Sequence, residues 1–241
     1  NQTTTWALYP RGPFVMTGGA AMRSTFALHF LGVGNSHAHE LGCSSAVLER
    51  EGEPSLLIDC GPDTVAAFRG RYGGRVPPAV FVTHAHLDHI GGLENLFYRA
   101  RLGPAENGPV KLYCPVRLVP VLHRRVADYP GVLAEGGVNF WDAFQLVPVS
   151  EHFWHQGLLF TVFAVRHHDP GSAYGLALEG VFLYSGDTRP IPEVLIRLAC
   201  RGEALFHDAC LEGNPSHSGA EEIRAEYGPE LRARMVLYHY E

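Results

Sequence analysis

The sequence predicts an α/β (α+β) protein built as a four-layer αββα sandwich. Two observations carry that expectation. Short β-rich apolar runs alternate with helical periods in both halves of the chain, and each half contains successive strands close enough in sequence to pair antiparallel. Two sheets packed face to face, with helices outside, accommodate such a pattern. A length of 241 residues with 46% hydrophobic residues is enough for one large domain with a real core.

Residues 1–23 contain two prolines and three glycines and have no sustained period, so they read as an N-terminal extension or a vector-derived remnant ahead of a single domain at 24–241. Strands are expected at 25–31, 46–50 and 55–59, separated by a Gly-rich turn at 32–42 and a turn at Gly52 and Pro54. Asp63 opens a short helix to Gly70, and 79–83 is a compact β-rich run. After Leu87 a helix carries Leu93, Leu96 and Phe97 at i, i+3 and i+4. The second half predicts a strand at 110–114, a helix at 116–127, a Gly-rich break at 131–137 and strands at 144–148, 159–165, 173–178 and 181–185. Glu179-Gly180 makes the last two a hairpin. Helices at 192–201 and 219–227 and short strands at 204–207 and 235–238 complete the chain.

Nineteen basic against twenty-five acidic residues give a net charge of −6, and Lys111 is the one lysine. Non-specific binding of long nucleic acid needs clustered cations, so that class is disfavoured while a small phosphodiester is not. No apolar run approaches the roughly 18 residues of a membrane span, and the first 25 residues lack a signal-peptide pattern. A soluble cytoplasmic protein without a membrane partner is the expectation. Five cysteines, an odd number without CxxC spacing, read as free or buried thiols.

Fourteen histidines are unevenly spread. Thr83-His84-Ala85-His86-Leu87-Asp88-His89 places three of them and a carboxylate between a buried strand and a helix. His84 and His86, two apart in an extended turn, can converge on one cation, while Asp88 and His89 at the helix start can face a second. Imidazole and carboxylate donors suit Zn(II), with Mn(II) or Fe(II) as alternatives. A solvated His-rich loop explains such density poorly.

This motif, followed by Ile90-Gly91-Gly92, resembles the signature of the metallo-β-lactamase superfamily of metal-dependent hydrolases, over residues 25 to 241. The family pattern also expects a His at a strand end, an Asp in a Ser-Gly-Asp turn and a late His. Arg166-His167-His168, Ser185-Gly186-Asp187 and Tyr238-His239 supply them. The resemblance implies two divalent ions: His84, His86 and His168 on one, Asp88, His89 and His239 on the other, and Asp187 bridging. Counting back from Tyr174-Gly175 favours His168, with His167 as the alternative. Asp59 matches a position that supports the metal-binding loop and would orient a ligand His; a plain strand-end turn Asp is the other reading.

Asp208 and His217 resemble the acidic residue and downstream His that RNase Z-like phosphodiesterases place beside the metals to protonate a leaving oxygen, although Glu is commoner at the first position. A helix N-cap at Ser216 or Ser218 beside a solvated His remains the alternative. Asp88, Asp208 and His217 are thus the candidate catalytic residues. The loop 32–42 offers His37 and His39 as substrate contacts or as plain surface groups. Phe153 and Trp154, between His152 and His155, could overhang the pocket and stack on a ring.

Only 19 residues separate His168 from Asp187, and no segment is long enough for the substrate-gripping arm of RNase Z. The compact layout resembles the phosphoribosyl cyclic phosphodiesterase branch, without its cysteine zinc site. The implied activity is hydrolysis of a small or cyclic phosphodiester or nucleotide by metal-bound hydroxide. A lactonase or glyoxalase II-like thioesterase is the alternative, and a non-catalytic metal-binding module the second. Homodimers, common in the superfamily, stay open.

Overall fold

The computed structural model describes residues 14–17, 24–103, 108–128 and 137–241. Seven strands form the first sheet in chain order: β1 (Phe14–Thr17), β2 (Thr25–Gly32), β3 (Ser45–Arg50), β4 (Glu53–Ile58), β5 (Ala79–Phe81), β6 (Val110–Pro115) and β7 (Phe144–Val149). β1 to β4 pair antiparallel and β4 to β7 parallel. The second sheet contains β8 (His152–His155), β9 (Leu158–Ala164), β10 (Tyr174–Leu178), β11 (Phe182–Tyr184), β12 (Ala204–Asp208) and β13 (Met235–Tyr238). Here β8 to β11 are antiparallel and β11 to β13 parallel. Each half is a meander that turns into a parallel run.

Parallel neighbours need a crossover, and helices provide it. α1 (Thr64–Arg71) links β4 to β5, α2 (Leu87–Ile90) and α3 (Leu93–Leu102) follow β5, and α4 (Val119–Leu122), continued by a wider π-type turn at His123–Ala127, follows β6. In the second half α5 (Pro192–Leu198) links β11 to β12, and α6 (Ala220–Glu226) and α7 (Pro229–Arg232) precede β13. The expected αββα layering is what these elements form.

Side-chain alternation assigns the layers. Leu48, Leu56 and Ile58 enter the core between the sheets, while their neighbours Val47 and Leu57 pack under α1 to α4. Phe206 is likewise in the central core and Leu205 lies under the second-half helices. Strands buried on both faces therefore read as continuous apolar runs. Among the described residues no helix is long and apolar enough to cross a membrane, and all five cysteines are free thiols.

Two expectations need correction. Within the unpatterned 1–23 segment, Phe14–Thr17 pairs with β2, and Phe14 meets Phe206 edge-on at 5.5 Å; residues 1–13 and 18–23 lie outside the described set, as does the glycine-rich break apart from Gly137. Residues 152–155 do not overhang a pocket. They form an edge strand whose Phe153 stacks on Tyr113 at 4.1 Å and on Phe160 at 5.1 Å inside the core. Trp154 alternates outward, 67% exposed, and His155 is buried against Tyr113 and the Ser55 carbonyl.

Candidate metal centre

The candidate residues follow the carboxyl ends of parallel strands, where the chain leaves the sheet and side chains can converge. Asp59 follows β4, His84 to His89 follow β5, Asp187 follows β11, Asp208 ends β12 and His239 follows β13. His167 lies in the β9–β10 loop. The two sheets are tied together here: the Tyr174 N–H donates to the Thr83 carbonyl at 2.9 Å, and His84 bridges Ala173. The α2–α3 junction lies flat on the end of β4, with the Gly92 N–H donating to the Cys60 carbonyl at 2.8 Å. A Cβ on Gly92 would overlap the Gly61 carbonyl oxygen, which is the physical need behind the Gly-Gly pair.

Donor atoms within 4.8 Å of one another form overlapping groups: His84, His86 and His167; Asp88, His89 and His239; and His84, His89 and Asp187. Asp187 is central. Its Oδ2 lies 3.6 Å from His84 Nε2 and 3.3 Å from Nε2 of both His89 and His239. Asp88 Oδ2 is 3.6 Å from His89 Nε2 and 3.8 Å from His239 Nε2.

Four of the imidazoles, those of His84, His89, His167 and His239, meet a polar partner at their other nitrogen. His89 Nδ1–H donates to Asp59 Oδ2 at 2.7 Å, and His167 Nδ1–H donates to the Ser216 carbonyl at 3.0 Å. Asp59 also accepts from the Thr83 N–H at 2.8 Å and the Thr83 hydroxyl at 2.6 Å. That hydroxyl, 3.1 Å from His84 Nδ1, is left to accept from it. His84, His89, His167 and His239 thereby keep Nε2 for the shared space, the arrangement by which outer partners fix a ligand tautomer. Thr83 was missed in the sequence, although it directly precedes His84 in the motif.

A divalent cation fits this donor set. His84 Nε2, His89 Nε2, His239 Nε2, Asp187 Oδ1 and Asp208 Oδ1 are buried without a hydrogen-bond partner in the protein. Leaving buried polar atoms unmatched is costly, and so many beside one another call for a shared positive centre. Electrostatics agree. Burial, with His89 as the next cause, carries the His84 pKa well below 6.5, and burial brings His167 down to about 4, so both imidazoles are neutral donors. Burial pushes Asp187 up, but the charges of His239, His89 and His84 outweigh it and hold the carboxylate well below its usual range. Burial lowers His239 and His89 too, yet Asp187 and the other carboxylates more than offset it, raising His239 to about 10 and His89 well above 6.5. The buried carboxylates thus demand positive charge at these two rings, a demand that a cation held at their Nε2 atoms would meet.

The third histidine is corrected. His167, only 1% exposed, meets His86, its Nε2 lying 3.4 Å from His86 Nδ1. His168 is exposed, has a φ of 55° and belongs to none of the donor groups. The left-handed turn carries its ring outward, 3.3 Å from Ser216 Oγ. Asp59, with a φ of 61°, and His239, with 67°, share this uncommon backbone, so strain gathers where the donors meet.

Of the Asp208–His217 pair, only His217 lines a cavity. Asp208 is fully buried, accepts from the Thr188 N–H at 2.8 Å and from His217 Nδ1–H at 2.9 Å, and lies 3.3 Å from His239 Nδ1. Its two oxygens face His217 and His239 rather than open space. His217 is partly exposed, with its ring stacked 5.0 Å from that of His239. Burial lowers its pKa, but the Asp208 hydrogen bond and charge raise it above 6.5. His217, His37, Asp88, Asp187 and His239 line one cavity of about 420 Å³; His39 is exposed and does not line it. A second cavity, of about 260 Å³, adjoins His84, His86 and His167 on the other side.

The family described as "Anti-Pycsar protein Apyc1" matches residues 26–241. The chain belongs to this family. An anti-Pycsar protein Apyc1 of Paenibacillus sp. (strain J14) is 32% identical over 225 residues, covering 88% of each chain. The zinc phosphodiesterase ELAC protein 2 of Macaca fascicularis is 28% identical over 238 residues, covering 86% of this chain and 28% of its own. Among solved structures, a diphosphatase from the PhnP family superposes with a TM-score of 0.70 at 22% identity, covering 90% of this chain and 87% of the other. The chain has the metallo-β-lactamase fold.

Proposed function

We propose that this protein is a phosphodiesterase that opens a cyclic nucleotide to a nucleoside monophosphate at two divalent ions. His84, His86 and His167 would hold one ion, Asp88, His89 and His239 the other, and Asp187 would lie between them. Four imidazoles offering Nε2 beside carboxylates favour Zn(II), with Mn(II) and Fe(II) as the competing ions. When bound, such ions supply Lewis acidity and lower the pKa of a coordinated water.

The observation that carries the reading is the Asp208–His217 pair beside these donors. His217 gives its Nδ1 proton to Asp208 Oδ2 as a hydrogen bond, leaving Nε2 as its second proton-carrying nitrogen on a cavity wall. In hydrolysis a water oxygen bonds to phosphorus and releases a proton to solvent, the P–O ester bond breaks, and the departing alkoxide takes a proton from His217 Nε2, which solvent then restores. Asp208 steadies the ring throughout. Cavities of about 260 and 420 Å³ suit a mononucleotide better than a folded RNA. The acidic net charge supports the same choice. Five free thiols accord with work in a reducing cytoplasm.

Zn- or Mn-loaded protein assayed with 3′,5′-cyclic mononucleotides, bis(p-nitrophenyl) phosphate, a lactone and a thioester tests this. Turnover of the cyclic nucleotides is expected. Lactone opening without diester hydrolysis would overturn it. His217→Ala should lower kcat by about 100-fold or more on cyclic nucleotides and far less on p-nitrophenyl esters, whose leaving group needs no proton.

A further inference from the structure

The cavity of about 260 Å³ beside His84, His86 and His167 has features that phosphodiester hydrolysis itself does not use. Leu118, Val121 and Pro170 give it apolar walls, and Arg117 and Arg125 bring two guanidinium groups. Among the described residues neither arginine has a carboxylate within ion-pair distance, although acidic residues outnumber basic ones 25 to 19. In this they resemble Arg99, Arg101, Arg124, Arg189 and Arg197 and differ from Arg75, Arg166 and Arg201, which pair with Glu53, Glu193 and Glu179; what sets Arg117 and Arg125 apart is that both line the cavity beside the metal donors. The guanidinium of Arg117 rests on Gly171, where a Cβ would lie 2.8 Å from Nη1 and where φ is +80°. Glycine takes that turn without strain and leaves the guanidinium room to lie there. His168, turned outward by its own left-handed backbone, stands at the boundary shared with the larger cavity.

We propose that this cavity is the nucleobase subsite, and that Arg117 and Arg125 are its specificity-determining residues. A base is flat and apolar on its faces, with acceptor atoms along its edge. Apolar walls with guanidinium donors, and no carboxylate lining among the described residues to receive an amino group, match an edge rich in carbonyl and ring-nitrogen acceptors. Guanine, with O6 and N7 adjacent, presents the fork geometry best, and uracil presents two carbonyls. The cavity is at the small end for ligand sites, sized for a ring system, and it adjoins the donors that would hold the phosphodiester. The inference rests on the cyclic-nucleotide reading and adds where the base goes and which bases it favours.

The test compares wild type with Arg117→Ala, Arg125→Ala and the two Lys variants. The substrates are cyclic GMP, cyclic UMP, cyclic AMP and methyl p-nitrophenyl phosphate, a diester without a base. Each Ala variant should raise KM for cyclic GMP and cyclic UMP by about tenfold or more, shift cyclic AMP less, and leave the baseless diester and kcat unchanged. Lys, which keeps the charge and loses the fork, should not restore KM. Direct binding of guanosine to the metal-free protein, measured by calorimetry, should weaken in parallel. An equal loss on all four substrates, or full rescue by Lys, would assign the arginines to phosphate attraction and overturn the subsite. Unchanged KM and guanosine binding in every variant would do the same. Cyclic nucleotides left intact by the wild type, with methyl p-nitrophenyl phosphate turned over, would instead sink the substrate reading, which keeps the two failures apart.

Discussion

Asp59→Asn probes the support beneath the metal centre with a change of one atom. The carboxylate accepts three hydrogen bonds, Oδ1 from the Thr83 N–H and Oδ2 from both the Thr83 hydroxyl and His89 Nδ1–H. An asparagine can satisfy these in two ways. With its oxygen at the Oδ2 position, the amide NH2 faces the Thr83 N–H, and two buried donors oppose each other at about 1–3 kcal/mol. With its NH2 there, His89 has to accept at Nδ1, and its proton moves to Nε2, the nitrogen that would bind the ion. Either state weakens metal binding, the first through the lost negative charge behind the imidazole and the second by blocking the donor. A loss of about 10- to 100-fold in metal affinity follows, equivalent to about 1.4–2.7 kcal/mol. Competition with a chromogenic chelator reads the affinity, and circular dichroism checks that the fold survives. A well-folded variant that binds zinc within threefold of wild type would refute the claim that Asp59 sets the His89 tautomer.

Other expectations follow from the same geometry. His167→Ala should halve the bound metal and abolish turnover, whereas His168→Ala should keep the full complement by elemental analysis; the reverse pattern would restore the sequence-based choice. Gly92→Ala should lower the melting temperature, because its Cβ overlaps the Gly61 carbonyl and overpacking of this sort costs about 1–3 kcal/mol; an unchanged melting curve would show that the α2–α3 junction yields easily. Burial, opposed by the Ser55 hydrogen bond and aided to a smaller extent by Lys111, lowers the His155 pKa from 6.5. The folded state thus excludes a proton that the unfolded chain takes up, so this residue's contribution is intact above pH 6.5 and is lost as pH falls below it. Denaturant titrations at pH 7.5 and 5.5 should show a smaller difference for His155→Gln than for wild type, and equal differences would contradict this sign.

Much of the centre was legible because its densest part is contiguous. His84, His86, Asp88 and His89 fall within six positions, and the strand-to-helix junction around them is a local pattern. The choice between His167 and His168 was not legible. Both follow a strand, and what decides between them is a left-handed turn and a carbonyl at Ser216, 49 residues away from His167. Asp208 was read with His217 as the pair that protonates a leaving oxygen; that Asp208 is completely buried, with His217 alone of the two on a cavity wall, was not legible, because it depends on the packing of β12 between β11 and β13. The polar, aromatic stretch at 152–155 looked like a pocket wall. Its alternating exposure marks an edge strand instead, with Phe153 turned inward. β1 escaped notice because four residues have no period of their own and are ordered by the strand they join. Arg117 and Arg125 carried no motif; they share a cavity with His84 only through the fold.

The donors are divided between the leaves of the sandwich, with residues 59–89 leaving one sheet and 167–239 leaving the other. An ion gripped from both sides acts as a rivet through the seam, and prying the leaves apart means evicting it. Loading should therefore lengthen the protein's survival as well as switch on its chemistry, by the mass-action law that rewards any ligand confined to the native form. In a metal-starved cell the shortage would show first in how much of this protein endures, and only then in how fast each copy works.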